Sequence, residues 1–137
     1  GRTKELFNTC KGKYVAPVTL EYLLNADCHI ELSCVSGSGR PACYAVVQLA
    51  EELCENITDQ GFRDQVTPAL EALLEEVNAQ VEAYEQLQFL AVVKDRWQIA
   101  NDFLTPTQKI KRSIIESAYS PCLDNWYASG KKVVWQG

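Results

Sequence analysis

Residues 67–93, TPALEALLEEVNAQVEAYEQLQFLAVV, change their hydrophobic period partway along, and that change decides the fold class. Leu70, Leu73, Leu74, Val77, Val81 and Tyr84 recur at helical spacing, which predicts a long helix over about 67–87 with Thr67 as N-cap and Pro68 at the first helical position. The acidic residues Glu71, Glu75, Glu76, Glu82 and Glu85 fall on its solvent face and are assigned no chemistry. The run 89–93 is continuously apolar and reads as a central buried strand. Upstream, 30–35 and 43–49 are two further β-rich runs separated by the turn segment 36–41, which lacks the spacing of a phosphate-binding loop. Residues 51–64 read as a polar, acidic connector. At the start, 4–9 and 14–16 form a hairpin whose turn takes its freedom from Gly12, and Pro17 opens a helix to about Ala26 with Leu20, Leu23 and Leu24 on one face. After the central strand come a loop over 101–109 and a helix from Arg112 to about Tyr119. Pro121 is expected to break that helix, leaving a second piece over 122–128. Strands and helices mixed in this way imply an α+β domain of two layers, with a short N-terminal hairpin and a mixed sheet packed against helices.

At 137 residues the chain is one domain, smaller than most enzymes that must hold several substrates at once. It contains neither a transmembrane-length apolar run nor a signal-peptide pattern, so a cytoplasmic setting, with or without peripheral membrane attachment, is expected. A targeting signal upstream of Gly1 would be invisible. The six cysteines include no CxxC pair and no histidine at metal-ligand spacing, so buried free thiols are expected and a metal site is not. The net charge of −5 conceals an uneven distribution. Residues 1–13 carry four Lys/Arg against one acid, 14–93 two against thirteen, and 94–137 seven against four. A nucleic-acid binder would show a dominant basic stripe and a high pI, whereas the pI here is near 4.9. Small cationic clusters at both ends suit a compact polyphosphate ligand, or are simply solvated faces.

Those basic ends carry distinctive motifs. Residues 101–112 read NDFLTPTQKIKR, the chain opens GRTKE, residues 9–17 read TCKGKYVAP, and 127–135 read YASGKKVVW. The first resembles the loop bearing the catalytic lysine in AMP-forming acyl-CoA synthetases, specifically the long-chain fatty-acid branch. The opening resembles that family's hinge and the β-turn after it, with Cys10 where serine is usual. The chain is therefore identified as similar to the small C-terminal domain of such an enzyme, spanning residues 1–137 with a hinge at 1–5 and the lysine loop at 101–112.

The resemblance implies a division of labour. Lys109 would be the catalytic lysine, bridging carboxylate and α-phosphate as a fatty acid attacks ATP, because a cation delivered there orients the reactants and stabilises redistributed charge. Arg2 would contact the nucleotide, and Lys4 would be the hinge, acting by torsion. Rotation about it would swing the lysine loop away and present Lys11, Gly12 and Lys13 to CoA for thioester formation. Lys111 and Arg112 would hold phosphate groups of CoA or anchor the loop. Gln108 stands where many superfamily members have glycine, and Thr105 and Thr107 shape and cap the loop. The implied cofactors are ATP, Mg and CoA, with Mg and most ATP contacts supplied by a large N-terminal domain, the chief partner. Transfer to a carrier protein in place of CoA, or a freestanding binding module without catalysis, are the alternatives. The isolated domain is expected to be inactive, and acyl-chain length is not readable from it.

Overall fold

A computed structural model describes residues 7–8, 12, 14–37, 40 and 42–136. The element order is β1 (Phe7–Asn8), β2 (Tyr14–Val15), α1 (Pro17–Asn25), β3 (Ile30–Ser36), β4 (Cys43–Leu49), α2 (Glu51–Cys54), α3 (Gln60–Ala79), β5 (Leu87–Val92), α4 (Arg112–Ser129) and β6 (Val133–Trp135). Strands β1 and β2 form an antiparallel hairpin, and the others form a mixed sheet in the order β3-β4-β5-β6. Within it β3 and β4 are antiparallel while β4, β5 and β6 run parallel.

The α+β class and the mixed sheet follow the sequence reading, but the layering goes further than two. Every residue of β4 is buried, so both faces of the sheet need cover. On one face Val35, Ala45, Val47, Leu90 and Val92 pack against Leu20 and Leu24 of α1 and Leu70, Leu74 and Val77 of α3. On the other, Cys34, Tyr44, Val46, Phe89 and Ala91 pack against Ile115, Tyr119, Leu123 and Trp126 of α4, together with Trp97 and Leu104. Phe89, fully buried, stacks on Tyr44 at 5.4 Å and meets Tyr127 edge-on at 5.0 Å.

Both ends of the long helix differ from the expectation. Helix α3 begins at Gln60, inside the supposed connector, because Asp59 is the N-cap and accepts from the Phe62 N–H at 2.8 Å. The apolar stripe begins at Phe62 and Val66, so Thr67 lies inside the helix, where its Oγ1 donates to the Arg63 carbonyl at 2.6 Å. The helix also stops sooner, at Ala79. The side chain of Asn78 takes both backbone groups of Leu87, accepting from its N–H at 2.7 Å and donating to its carbonyl at 3.0 Å, which ties the chain back as it enters β5.

Helix α4 runs unbroken through Pro121. The proline removes the partner of the Ser117 carbonyl, but both residues are exposed, so water can serve that group, and the buried Ile115, Tyr119, Leu123 and Trp126 on the other side hold the helix together. Strand β6, three residues long, is an addition to the sequence reading. Of the cysteines, Cys28, Cys34, Cys43 and Cys122 are free thiols. Burial pushes the Cys34 thiol up to about 12 and that of Cys43 up to about 11, which keeps both inert.

Candidate functional site

The segment joining β5 to α4 is irregular yet tightly determined. Its entry is fixed by Trp97, whose backbone N–H donates to the buried Gln48 Oε1 at 2.6 Å and whose ring is almost wholly enclosed. Asn101 then organises the turn: its Oδ1 accepts from the N–H groups of Gln98 (3.0 Å) and Phe103 (3.2 Å), and its Nδ2 donates to the Arg96 carbonyl at 2.7 Å. Leu104 and Ile110 form an isolated antiparallel bridge, and buried Leu104 pins this miniature hairpin to the core. At its tip the Thr105 N–H donates to the Lys109 carbonyl at 2.8 Å, the Gln108 N–H to the Thr105 carbonyl at 2.7 Å, and the Lys109 N–H to Thr105 Oγ1 at 3.1 Å. Thr107 Oγ1 lies 3.0 Å from Thr105 Oγ1, so both threonines shape the loop, as expected of them.

Gln108 has φ 64°, a left-handed conformation that suits glycine and costs another residue about 1–2 kcal/mol. Gln108→Gly is therefore expected to leave stability unchanged or to raise it by up to about 1 kcal/mol, whereas Gln108→Val should lower it by roughly 1–2 kcal/mol. Urea unfolding of the three proteins checks this, and equal tolerance of glycine and valine would contradict the assigned backbone.

The three cations of the motif occupy different environments. Lys109 is exposed at the hairpin tip, and among the described residues its ammonium has no acidic partner. Lys111 pairs through Nζ with Asp102. Arg112 reaches across to α1 and forms a nearly buried, two-pronged pair with Glu21, while its Nη1 also donates to the Val35 carbonyl at 3.0 Å. Glu21 Oε2 in turn accepts from the Val35 N–H at 2.7 Å. These acids have an electrostatic reason to be there. Lys111 and Arg112 sit at the positive end of α4, whose first turn contains no acid, and Asp102 and Glu21 offset the repulsion.

Gly12 lies at the other end of the chain, in the turn between β1 and β2, with φ 79° and open space around its α-carbon. Arg2, Lys4, Lys11 and Lys13 lie outside the described residues. Helix α1 begins two residues after β2 ends, so the helix that Arg112 grips also carries the Gly12 hairpin. Glu21 and Asp102 were not identified from sequence. Glu21 did leave a signal: it is a lone acid on the buried face of α1, beside Leu20 and in helical register with Pro17 and Leu24. A cleft of about 390 Å³ flanks the loop, walled by Leu32, Trp97, Ile99 and Leu104 with Gln98 and Gln108 at its edge.

Residues 5–131 match the family model for the AMP-binding enzyme C-terminal domain. The chain is 24% identical to the long-chain-fatty-acid–CoA ligase FadD15 of Mycobacterium tuberculosis, over 93% of its own length and 23% of that protein's. It is 24% identical to the human long-chain-fatty-acid–CoA ligase 1, over 95% of its length and 20% of that protein's. The chain thus spans about a quarter or less of the curated relatives it matches. Among solved structures, the adenylation domain of the carboxylate reductase from Mycobacterium chelonae superposes with a TM-score of 0.76 at 24% identity, covering 91% of this chain and 20% of that one. The acyl-CoA synthetase of Brucella canis gives 0.61 at 20% identity, covering 90% and 20% respectively. These likenesses establish a shared fold.

Proposed function

The chain belongs to the family of AMP-binding enzyme C-terminal domains, and from that premise we propose that it is the moving small domain of an AMP-forming fatty-acid:CoA ligase. In this reading Lys109 is inserted into the active site for adenylation, and rotation about Lys4 then presents the Gly12 turn for thioester formation. ATP, fatty acid and CoA are the substrates of the whole enzyme. Arg2, Mg and the remaining nucleotide contacts act with the large N-terminal domain, and the isolated small domain is inactive.

The observation that carries the proposal is the contrast among the three cations. Lys109 alone stands at the tip of a determined hairpin without an acidic partner among the described residues, where it can reach a ligand on another domain. Lys111 and Arg112 are neutralised inside the domain. We therefore favour the anchoring role for that pair and leave CoA contact to the hairpin of Lys11, Gly12 and Lys13. A positive charge held out from a fixed loop is the arrangement that charge stabilisation in a transition state requires.

The complete polypeptide tests this in a product assay containing a fatty acid, ATP, free CoA and acyl-carrier protein. AMP and acyl-CoA are expected. Transfer to the carrier protein would move the chain to the alternative acceptor, and no fatty-acid-dependent AMP release would refute the ligase reading.

A further inference from the structure

We infer that Asp27, Cys28 and His29 form a binding site for a borderline-soft divalent cation of the zinc type, separate from the Lys109 loop. The three residues occupy the turn between the end of α1 and the start of β3. That turn is fixed by its neighbours: the Asp27 N–H donates to the Leu24 carbonyl at 3.1 Å, the Ile30 N–H to the Asp27 carbonyl at 3.1 Å, and the Ala50 N–H to the His29 carbonyl at 2.9 Å. The turn gathers the side chains. Asp27 Oδ1 accepts from the His29 backbone N–H at 2.8 Å and lies 2.8 Å from His29 Nδ1, while Cys28 Sγ lies 3.8 Å from the same ring nitrogen. One donor atom from each residue falls within 4.8 Å of the other two.

The 3.8 Å between Cys28 Sγ and His29 Nδ1 matches a coordination shell, while the 2.8 Å between Asp27 Oδ1 and His29 Nδ1 is a hydrogen bond that a cation would have to open. With zinc bonds of about 2.0 Å to nitrogen or oxygen and 2.3 Å to sulfur, adjacent donors of a tetrahedron stand roughly 3–4 Å apart. A cation placed among the three would replace the Asp27–His29 hydrogen bond with two metal bonds and leave a fourth position open to water. The donor set of one thiolate, one imidazole and one carboxylate selects zinc over magnesium or calcium, which prefer oxygen shells. Access is direct, because Cys28 is exposed and the His29 and Asp27 side chains are 31% and 25% exposed. Cys34 and Cys43 are buried and offer no competing site. Sequence rules for zinc look for spaced ligand pairs, and three adjacent residues escape them.

The test is titration of Co(II) into the reduced chain. An intense near-ultraviolet thiolate-to-cobalt absorption is expected to saturate at one cobalt per chain and to be discharged by zinc, with the Cys28 thiol proton released on binding. Cys28→Ser should abolish the band, His29→Gln should weaken binding about tenfold or more, and Cys122→Ser should change nothing. A readout on the unaltered protein accompanies it: zinc should slow alkylation of Cys28 by iodoacetamide, followed by peptide mass spectrometry. Absence of the band, its persistence in Cys28→Ser, or alkylation of Cys28 at one rate with and without zinc would each overturn the site.

Discussion

Glu21→Ala is expected to destabilise the domain by about 3–5 kcal/mol, the usual cost of removing one member of a buried ion pair. The carboxylate has two duties that alanine cannot perform. It neutralises Arg112 in a setting where both side chains are largely enclosed, and it accepts the Val35 N–H at 2.7 Å. Alanine leaves a guanidinium shielded from water beside the positive end of α4, together with an unpaired backbone donor in β3. Arg112→Ala should cost a similar amount by removing the two-pronged cationic partner of the enclosed carboxylate. The double change to Glu21→Leu and Arg112→Leu should cost clearly less than either alanine substitution, because no charge is then left buried. Urea unfolding of the four proteins measures these values. Single variants within about 1 kcal/mol of the unaltered protein would show that the pair does not clamp α4 to α1.

That clamp bears on function through geometry. Arg112 is the first residue of α4, directly after the hairpin that carries Lys109, so fixing Arg112 on α1 fixes the exit of the loop. The entry is fixed independently by Trp97 and Asn101. On the proposed function, a lysine that acts on a ligand held by another domain must arrive in one place, since misplacement by about 1 Å can cost a hundredfold in rate. The ion pair thus holds the end of this long irregular connection against α1.

Much of this was legible in the chain, and the exceptions have physical causes. Hydrophobic period located β3, β4, β5 and α1 to within a residue or two, because each buries a complete face. Thr67-Pro68 has the chemistry of a helix start and misplaces the start of α3, whereas the true cap at Asp59 is followed by Gln60 and Gly61, and only Phe62 and Val66 carry the apolar stripe before Thr67. By sequence alone Pro121 reads as a helix breaker. Tertiary burial of Tyr119, Leu123 and Trp126 outweighs the lost hydrogen bond at that exposed position. Residues 101–112 were singled out by their motif, yet their shape depends on a left-handed Gln108 and on partners as remote as Glu21, neither of which local sequence specifies.

The central claim rests on Lys109, and its direct test separates the two half-reactions of the complete enzyme. In the first, as proposed, negative charge would shift as the fatty-acid carboxylate attacks the α-phosphate and pyrophosphate leaves, so a cation bridging the two reactants would act where the charge develops. In the second, acyl transfer from the adenylate to CoA would proceed with the loop swung away. Lys109→Ala removes an exposed side chain from a hairpin held by backbone bonds and Leu104, so the fold should be undisturbed. The measurement is fatty-acid-dependent ATP–pyrophosphate exchange alongside thioester formation from preformed acyl-adenylate, in the unaltered enzyme and the variant. The expected result is a fall of about 100- to 1000-fold in exchange, the range for loss of one charge-stabilising donor, with thioester formation nearly unchanged. Equal loss in both steps, or exchange at the unaltered rate, would contradict the role assigned to Lys109.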